Sequence, residues 1–274
     1  MVVRGEDVKR IFLDEIAILV IENPAVSLTG CLLEALVSQK IRVIFCDAKR
    51  SPMAELAPYY GAHDSPRKIR AQMAWGAELK NMVWAEIVSE KIRRQSEFFG
   101  ELKRARESAM LREYIAQIQP GDATNREGHA AKVYFNGIFG MDFTRSEDTA
   151  VNAALNYGYS VILSAFNREI TACGYITQLG IFHDNMFNHF NLSSDLMEPF
   201  RILIDRVVVK MPLEKFETVH KRVLWDVLNK YVLIEGKRQT VLNAIKIYTK
   251  SVFDTLNDGD LANIRFYRII NDDI

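Results

Sequence analysis

Tyr59–Pro66 (YYGAHDSP) divides the chain into two unlike parts. Gly61, Asp64, Ser65 and Pro66 are turn formers, and the period of the apolar residues changes across them. On the N-terminal side, β-branched and aliphatic residues gather in short runs, Ile11–Leu13, Ile16–Ile21 and Ile41–Cys46, which read as strands. Between them Ser27–Lys40 (SLTGCLLEALVSQK) carries Leu32, Leu33, Leu36 and Val37 at helical spacing and reads as one connecting helix. On the C-terminal side, Ile69, Met73, Leu79, Met82, Val83, Ile87 and Ile92 recur at three- and four-residue intervals, predicting a long amphipathic helix with a basic tendency over 67–94. Further helices are expected over 98–118, 125–139 and 146–173, the last with Ser146 as N-cap and Gly174 as terminator. Residues 175–192, rich in Gly, Asn, Asp, His and Phe, break the pattern; helical period returns over 194–209, 213–230 and 240–257. The expected class is α+β, with a small β-rich domain over 1–64 followed by a larger all-α domain over 65–274.

Composition narrows the function classes. With 49% hydrophobic and 26% charged residues, 274 residues can bury a sizeable core. Three cysteines, Cys31, Cys46 and Cys173, are odd in number and lie in apolar surroundings, so no disulfide framework is expected. The longest apolar runs are far short of a bilayer span and the N-terminus lacks a signal-peptide pattern, which points to the cytoplasm and to no membrane partner. The formal net charge is zero, but its distribution is uneven. Residues 115–205 hold 5 Lys and Arg against 10 Asp and Glu; 66–114 hold 11 against 7 and 206–250 hold 10 against 4. Central carboxylates that hold cations, flanked by cations that hold phosphates, would give this distribution; so would solvated helix faces.

Ligand-capable residues interrupt the helical part in three places. In NREGHAAKVYF (Asn125–Phe135), Glu127 opens a helix; with Thr124 it reads equally as a T-x-x-E capping box. In GIFHDNMFNHF (Gly180–Phe190), His183 stands in an irregular segment that can present its imidazole to a cation, or is simply a hydrogen-bonded surface residue. In SSDLMEPFR (Ser193–Arg201), Asp195 and Glu198 sit three residues apart, a spacing that lets two carboxylates converge on one cation or supplies ordinary N-terminal helix acidity. Carboxylates with one histidine suit Mg²⁺ or Mn²⁺, which keep waters for a phosphate to displace. No cysteine pair has zinc-ligand spacing, and phosphate-binding-loop, dinucleotide and nucleophile-elbow motifs are absent.

NREGHAAKVYF, AALNYGY (Ala153–Tyr159), TQLGIFHDN (Thr177–Asn185) and SDLMEPFR (Ser194–Arg201), with VIFCDAKR (Val43–Arg50) and YYGAHDS (Tyr59–Ser65), resemble the integrase-nuclease family of CRISPR adaptation in its type II-associated form, over essentially the whole chain. The resemblance implies Glu127, His183 and Glu198 as catalytic metal ligands for Mg²⁺ or Mn²⁺, with Asp195 a neighbouring acid that shapes the site. It implies an N-terminal domain used for homodimerisation, a helical domain carrying the metal site, a small adaptation partner subunit, and DNA as substrate: spacer precursor and CRISPR repeat. There is one departure: Met1 is followed at once by VVRGEDVKRIFLDEI, which reads as the middle of a strand-rich region, whereas the resemblance implies a further leading hairpin. The expected activity is metal-dependent DNA cleavage and integration by attack of a 3′-hydroxyl on a phosphodiester. Arg126, Lys132 and Arg201 flank the ligands and are the expected phosphate contacts, each alternatively a structural ion-pair partner; Asn185 is expected to orient His183 or a water. The alternative function is a DNA-binding assembly subunit whose metal site is structural or inactive; a helical scaffold that binds only proteins is a third.

Overall fold

The computed structural model describes residues 1–5, 7–48, 52–56 and 62–270. It separates into two compact units, Met1–Ser65 and Pro66–Ile274. Much of the turn segment that suggested this division, Tyr59–Gly61 in particular, lies outside the described residues, as do Lys49 and Arg50.

In the first unit β1 (Val2–Arg4) and β2 (Val8–Arg10) form an antiparallel hairpin. β3 (Ile18–Ile21) runs through α1 (Gly30–Ser38) into β4 (Arg42–Cys46), which pairs parallel with β3 and antiparallel with β5 (Pro52–Leu56). The crossover suits the parallel pair, which cannot be joined by a tight turn. Thr29 caps α1 by accepting from the Leu32 N–H at 3.2 Å. Leu36, Ile41 and Val43 form the core, covered by Leu13, Ile16, Leu19, Ile21, Leu32, Phe45 and Leu56. The strand expected at Ile11–Leu13 is not formed. Phe12 is exposed and Leu13–Glu15 makes a 3₁₀ turn, so strand β3 starts only at Ile18.

The second unit is built on two long helices. α2 (Ser65–Ala74) leads to α3 (Ala77–Glu101), and α4 (Ala105–Ala116) folds back on α3. After α5 (Arg126–Phe139) comes α6 (Ala150–Ala172), then α7 (Asn191–Leu196), α8 (Arg201–Val209) and α9 (Thr218–Asp226). β6 (Tyr231–Ile234) and β7 (Lys237–Thr240) precede α10 (Val241–Asp258), and β8 (Arg268–Ile269) closes the unit. α8 and α10 both pack against α3 and α6. Trp84, Ile87, Ile92 and Phe99 of α3 and Val161, Ile162 and Phe166 of α6 are completely buried. Among the described residues no helix is long and apolar enough to cross a membrane.

Several boundaries differ from expectation, each for a local reason. The helix expected over 67–94 breaks at Trp75 and Gly76, where the Trp75 indole donates to Asn257 Oδ1 at 3.2 Å and its ring packs on Tyr175 and Phe253. The next break falls at 102–104, where Lys103 adopts φ +59°, rather than before Phe98. α6 is capped by Thr149, not Ser146: the Thr149 hydroxyl accepts from the Asn152 N–H, while Gly174 at φ +86° ends the helical region as expected. The unit is not all-α, because β7–β6–β8 form a three-stranded antiparallel sheet. Its hairpin turns at Glu235 and Gly236, both at positive φ, as a two-residue I′ connection requires; Glu-Gly is a weaker signal for that turn than Asn-Gly.

Gly158 sits at a close crossing of α6 and α8. A Cβ there would lie 2.4 Å from Ile204 Cγ2 on α8. Gly158→Ala is therefore expected to lower unfolding free energy by about 1–3 kcal/mol through overpacking, measured by urea titration, and to cost less in an Ile204→Ala background, where the clashing Cγ2 is gone.

Candidate active site

Four segments supply the site: the middle of α3, the first turn of α5, the irregular stretch 175–190, and the turn through α7 into α8. The start of α5 is held by Asp122, a buried residue at φ +48° whose carboxylate accepts the N–H groups of Arg126 at 2.8 Å and Glu127 at 2.9 Å. Asn125 caps the helix by accepting from the Gly128 N–H at 3.3 Å. Thr124 instead turns its hydroxyl to the Gln117 carbonyl, so no Thr124–Glu127 capping box forms. With the orphan N–H groups satisfied by others, the Glu127 carboxylate is left for another partner.

That partner is Lys91 on α3. Its ammonium lies 2.6 Å from Glu127 Oε1 and 2.5 Å from Glu198 Oε2. Glu198, 4% exposed, also accepts from Arg201 Nε at 2.8 Å. Burial opposes ionisation of Glu198, but the fields of Arg201 and Lys91 and their hydrogen bonds outweigh it and hold the carboxyl down at about 2. Burial likewise works against the Lys91 charge; Glu198 and Glu127 reverse that and raise its pKa. Glu198 is thus held anionic beside a cation that it shares with Glu127.

Asp195 does not join them, although it is only three residues from Glu198. Fully buried, it faces the irregular stretch, where Oδ2 accepts the N–H groups of Ile181 at 2.6 Å and Phe182 at 3.0 Å. Its Oδ1 accepts the His183 N–H at 3.1 Å and sits 2.5 Å from His183 Nδ1. Gly180 is obligatory here, since a Cβ would meet the His183 carbonyl at 2.2 Å and Asp195 Oδ2 at 2.7 Å. The hydrogen bond to Asp195 raises the His183 pKa, burial opposes the rise, and the negative fields of Asp195, Glu198 and Glu127 add to it. In the neutral tautomer that donates Nδ1–H to Asp195, Nε2 keeps its lone pair for a ligand.

Asn185 is not placed to orient His183. Its Oδ1 accepts the Phe187 N–H at 2.9 Å, and it is tied through its backbone to the buried Asn191. The orienting contacts come from Asp195 and from Trp84 of α3, whose ring stacks on Phe182 at 4.5 Å and meets the His183 imidazole edge-on at 5.6 Å. Arg201 is an ion-pair partner of Glu198 stacked 4.6 Å over the Tyr159 ring. Arg126 lies over Tyr114, and Lys132 is exposed on α5. Glu127 and Glu198 converge on one nitrogen and His183 lies within their field. Even so, among the described residues no three His, Cys, Asp or Glu side chains close on one point. The donor types fit a hard divalent cation: two carboxylate oxygens already drawn to one positive charge, with an imidazole nitrogen nearby.

Lys91 and Trp84 were not singled out by the sequence. A signal for Lys91 was present: it stands four residues from Ile87 and seven from Trp84, on the buried stripe of α3, where an unpaired lysine is costly.

The model of a known family, described as CRISPR associated protein Cas1, matches residues 1–246. A CRISPR-associated endonuclease Cas1 of Neisseria meningitidis serogroup C (strain 8013) is 36% identical over 199 residues, covering 73% of this chain and 66% of that protein. The chain belongs to the Cas1 family. It spans about two thirds of the length of that Neisseria relative. A casposase bound to integration product superposes with TM-score 0.73 at 17% identity over 89% of this chain and 79% of the other. A Cas6-RT-Cas1–Cas2 complex superposes with TM-score 0.70 at 15% identity over 92% of this chain and 32% of the other. At those identities the likeness is one of fold.

Beneath the Glu198–Arg201 pair of this Cas1 chain lies Asp205, buried on α8. It accepts the Tyr159 hydroxyl, and Tyr134 lies beside it. Burial pushes its carboxyl up to about 6 from the ordinary 3.8, against the opposing hydrogen bonds of Tyr159 and Tyr134 and the fields of Arg201 and Arg145. The folded state thus holds the proton more tightly than the unfolded chain. The stability this contributes is full below pH about 4 and is lost as pH rises through about 6. Asp205→Asn keeps size and an acceptor but cannot titrate. Between pH 4 and 6.5 the wild type is expected to lose on the order of 2–3 kcal/mol relative to Asp205→Asn in urea denaturation; parallel profiles would refute the shift.

Proposed function

We propose that this Cas1 chain is a divalent-metal-dependent DNA endonuclease and integrase that inserts spacer DNA into a CRISPR array by attack of a 3′-hydroxyl on a phosphodiester. The observation that carries this reading is the convergence of Glu127 and Glu198, distant in sequence, on one cationic nitrogen beside an imidazole whose other nitrogen is tied to Asp195. The name of the Neisseria relative and the integration product held by the casposase agree with it.

Glu127, His183 and Glu198 would hold Mg²⁺ or Mn²⁺, which polarises phosphoryl oxygens and activates an attacking hydroxyl or water. The chain's own groups do the rest. Asp195 holds the imidazole in the tautomer that presents Nε2, and its three backbone contacts keep Ile181, Phe182 and His183 from drifting. Lys91 shares its one charge between the two acids and weakens the repulsion that would draw α5 away from α8. Arg201 fixes the Glu198 carboxylate from its other side. Exposed Arg67 and Arg70 remain available to a DNA backbone, whereas Arg93, Arg94, Arg206 and Lys91 from the same basic stretches are committed to acids of the fold. Assembly as a homodimer through the N-terminal unit, with a small adaptation partner subunit, belongs to the same reading; one structural neighbour is a complex with Cas2.

One observation favours the rival reading of a DNA-binding assembly subunit: Lys91 already supplies one positive charge at the place a metal would take. Two measurements separate them. Glu127→Ala, His183→Ala and Glu198→Ala are each expected to reduce strand transfer and cleavage of branched DNA in Mg²⁺ or Mn²⁺ by about 10²-fold or more while DNA affinity stays within about threefold; retained activity in all three refutes the enzyme reading. Lys91→Met, which leaves the carboxylates without their shared cation, is expected to cost about 2–4 kcal/mol and to be stabilised by millimolar Mn²⁺ more than the wild type is. No metal-dependent change in Tm for either protein contradicts the metal role.

A further inference from the structure

Arg145 lies in the loop between α5 and α6, and its surroundings are unlike those of Arg94, Arg168, Arg201 and Arg206. Arg94 meets Glu90 and Glu97, Arg168 meets Glu169, Arg201 meets Glu198 and Arg206 meets Glu101. Arg145 has no carboxylate within ion-pairing distance among the described residues. Its Nη1 donates to Asn152 Oδ1 at 2.5 Å and its Nη2 to Asn156 Oδ1 at 2.6 Å. The guanidinium lies 5.5 Å over the Phe135 ring and 5.4 Å over the Tyr159 ring. The acid that feels its charge, Asp205, does so only through the field and is occupied by Tyr159.

The loop is shaped to keep it there. Asn152 is 2% exposed, and its amide donates to the carbonyls of Thr144 at 2.8 Å and Glu147 at 2.9 Å while its oxygen holds Arg145. One side chain thus fixes both the backbone around Arg145 and the plane of its fork. The place is next to the acids: Arg201, which grips Glu198, stacks on the same Tyr159 ring as Arg145.

A half-buried guanidinium compensated only by neutral amides and aromatic faces carries a desolvation cost that a carboxylate would have relieved. Two of its five N–H donors are used, so others remain for an anion, and the planar fork matches a phosphate oxygen pair. We propose that Arg145 is a preformed phosphate-binding position for the DNA strand entering the Glu127–His183–Glu198 site, held ready by Asn152 and Asn156. This rests on the reading of the site as one that acts on DNA and adds to it a specific strand contact.

The test is fluorescence-anisotropy binding of branched DNA between about 50 and 200 mM salt, with wild type, Arg145→Ala, Arg145→Lys and Asn156→Asp. Arg145→Ala is expected to weaken binding about fivefold and to reduce the slope of log affinity against log salt by about 0.7–0.9, the share of one phosphate. Asn156 is exposed, so Asn156→Asp is safe for folding; its new carboxylate takes the fork and is expected to act in the same direction with Tm unchanged. Arg145→Lys keeps the charge but not the fork and is expected to fall between. Wild-type affinity and slope in both Arg145→Ala and Asn156→Asp overturn the proposal, whatever their Tm. If the wild type shows no salt-dependent affinity, the DNA reading itself fails; if it does and only these variants are silent, the reading stands and Arg145 is structural.

Discussion

The Lys91 ammonium between Glu127 and Glu198 is the contact on which the second unit depends. It joins α3, the start of α5 and the turn into α8 at one point. Two carboxylates and an ammonium removed from water would each carry a large desolvation penalty alone, and the interior tolerates them only together and with their remaining atoms bonded. The pKa directions follow from that mutual dependence: the carboxyl of Glu198 is driven down and Lys91 is driven up, each against its own burial. A deeply buried stripe on α3, including Trp84, Ile87 and Ile92, gives Lys91 its rigid base.

The second constraint is the lack of regular structure over 175–190, where backbone groups must be satisfied one at a time. Gln72 of α2 accepts from the Ile176 N–H and donates to the carbonyls of Ile176 and Leu179. Thr177 donates to the His189 carbonyl, Asn191 bridges the carbonyls of Gln178 and Asn185, and Asp195 takes three consecutive N–H groups. A segment anchored at so many points positions His183 as firmly as a helix would, while leaving Met186 and Phe187 at the surface.

How far the sequence revealed this depends on the range of the interactions involved. Helical period located α5, α6 and α10, because one buried face repeats along each. It failed at Trp75, Lys103 and the β6–β7 hairpin, where a tertiary contact, a left-handed residue or an unusual turn pair decides the outcome. At the site, the acidic and imidazole candidates were visible as polar interruptions, and the resemblance grouped them. Their division of labour was not visible. Asp195 and Glu198 share a spacing that permits convergence, yet α7 stops at Leu196 and the turn at Pro199 sends their side chains to different partners. Asn185 spends its side-chain oxygen on a turn rather than on His183, Lys91 showed itself only by its place on the buried stripe of α3, and Arg145 was indistinguishable from a surface cation until its partners were known.

The acids around the site also sort by what it would take to change their partners. Asp122 accepts two backbone N–H groups, Asp195 accepts three together with an imidazole, and Asp205 is tied to a buried tyrosine, so freeing any of them means moving backbone or core. Glu127 is bonded to the tip of one lysine chain, and Glu198 to that tip and one guanidinium. Lysine ends on a flexible four-carbon stem, and rotating it away disturbs no backbone hydrogen bond. Among these acids, then, Glu127 and Glu198 are the pair that can exchange one cation for another with the fold left standing, which separates the acids that build the site from those able to work in it.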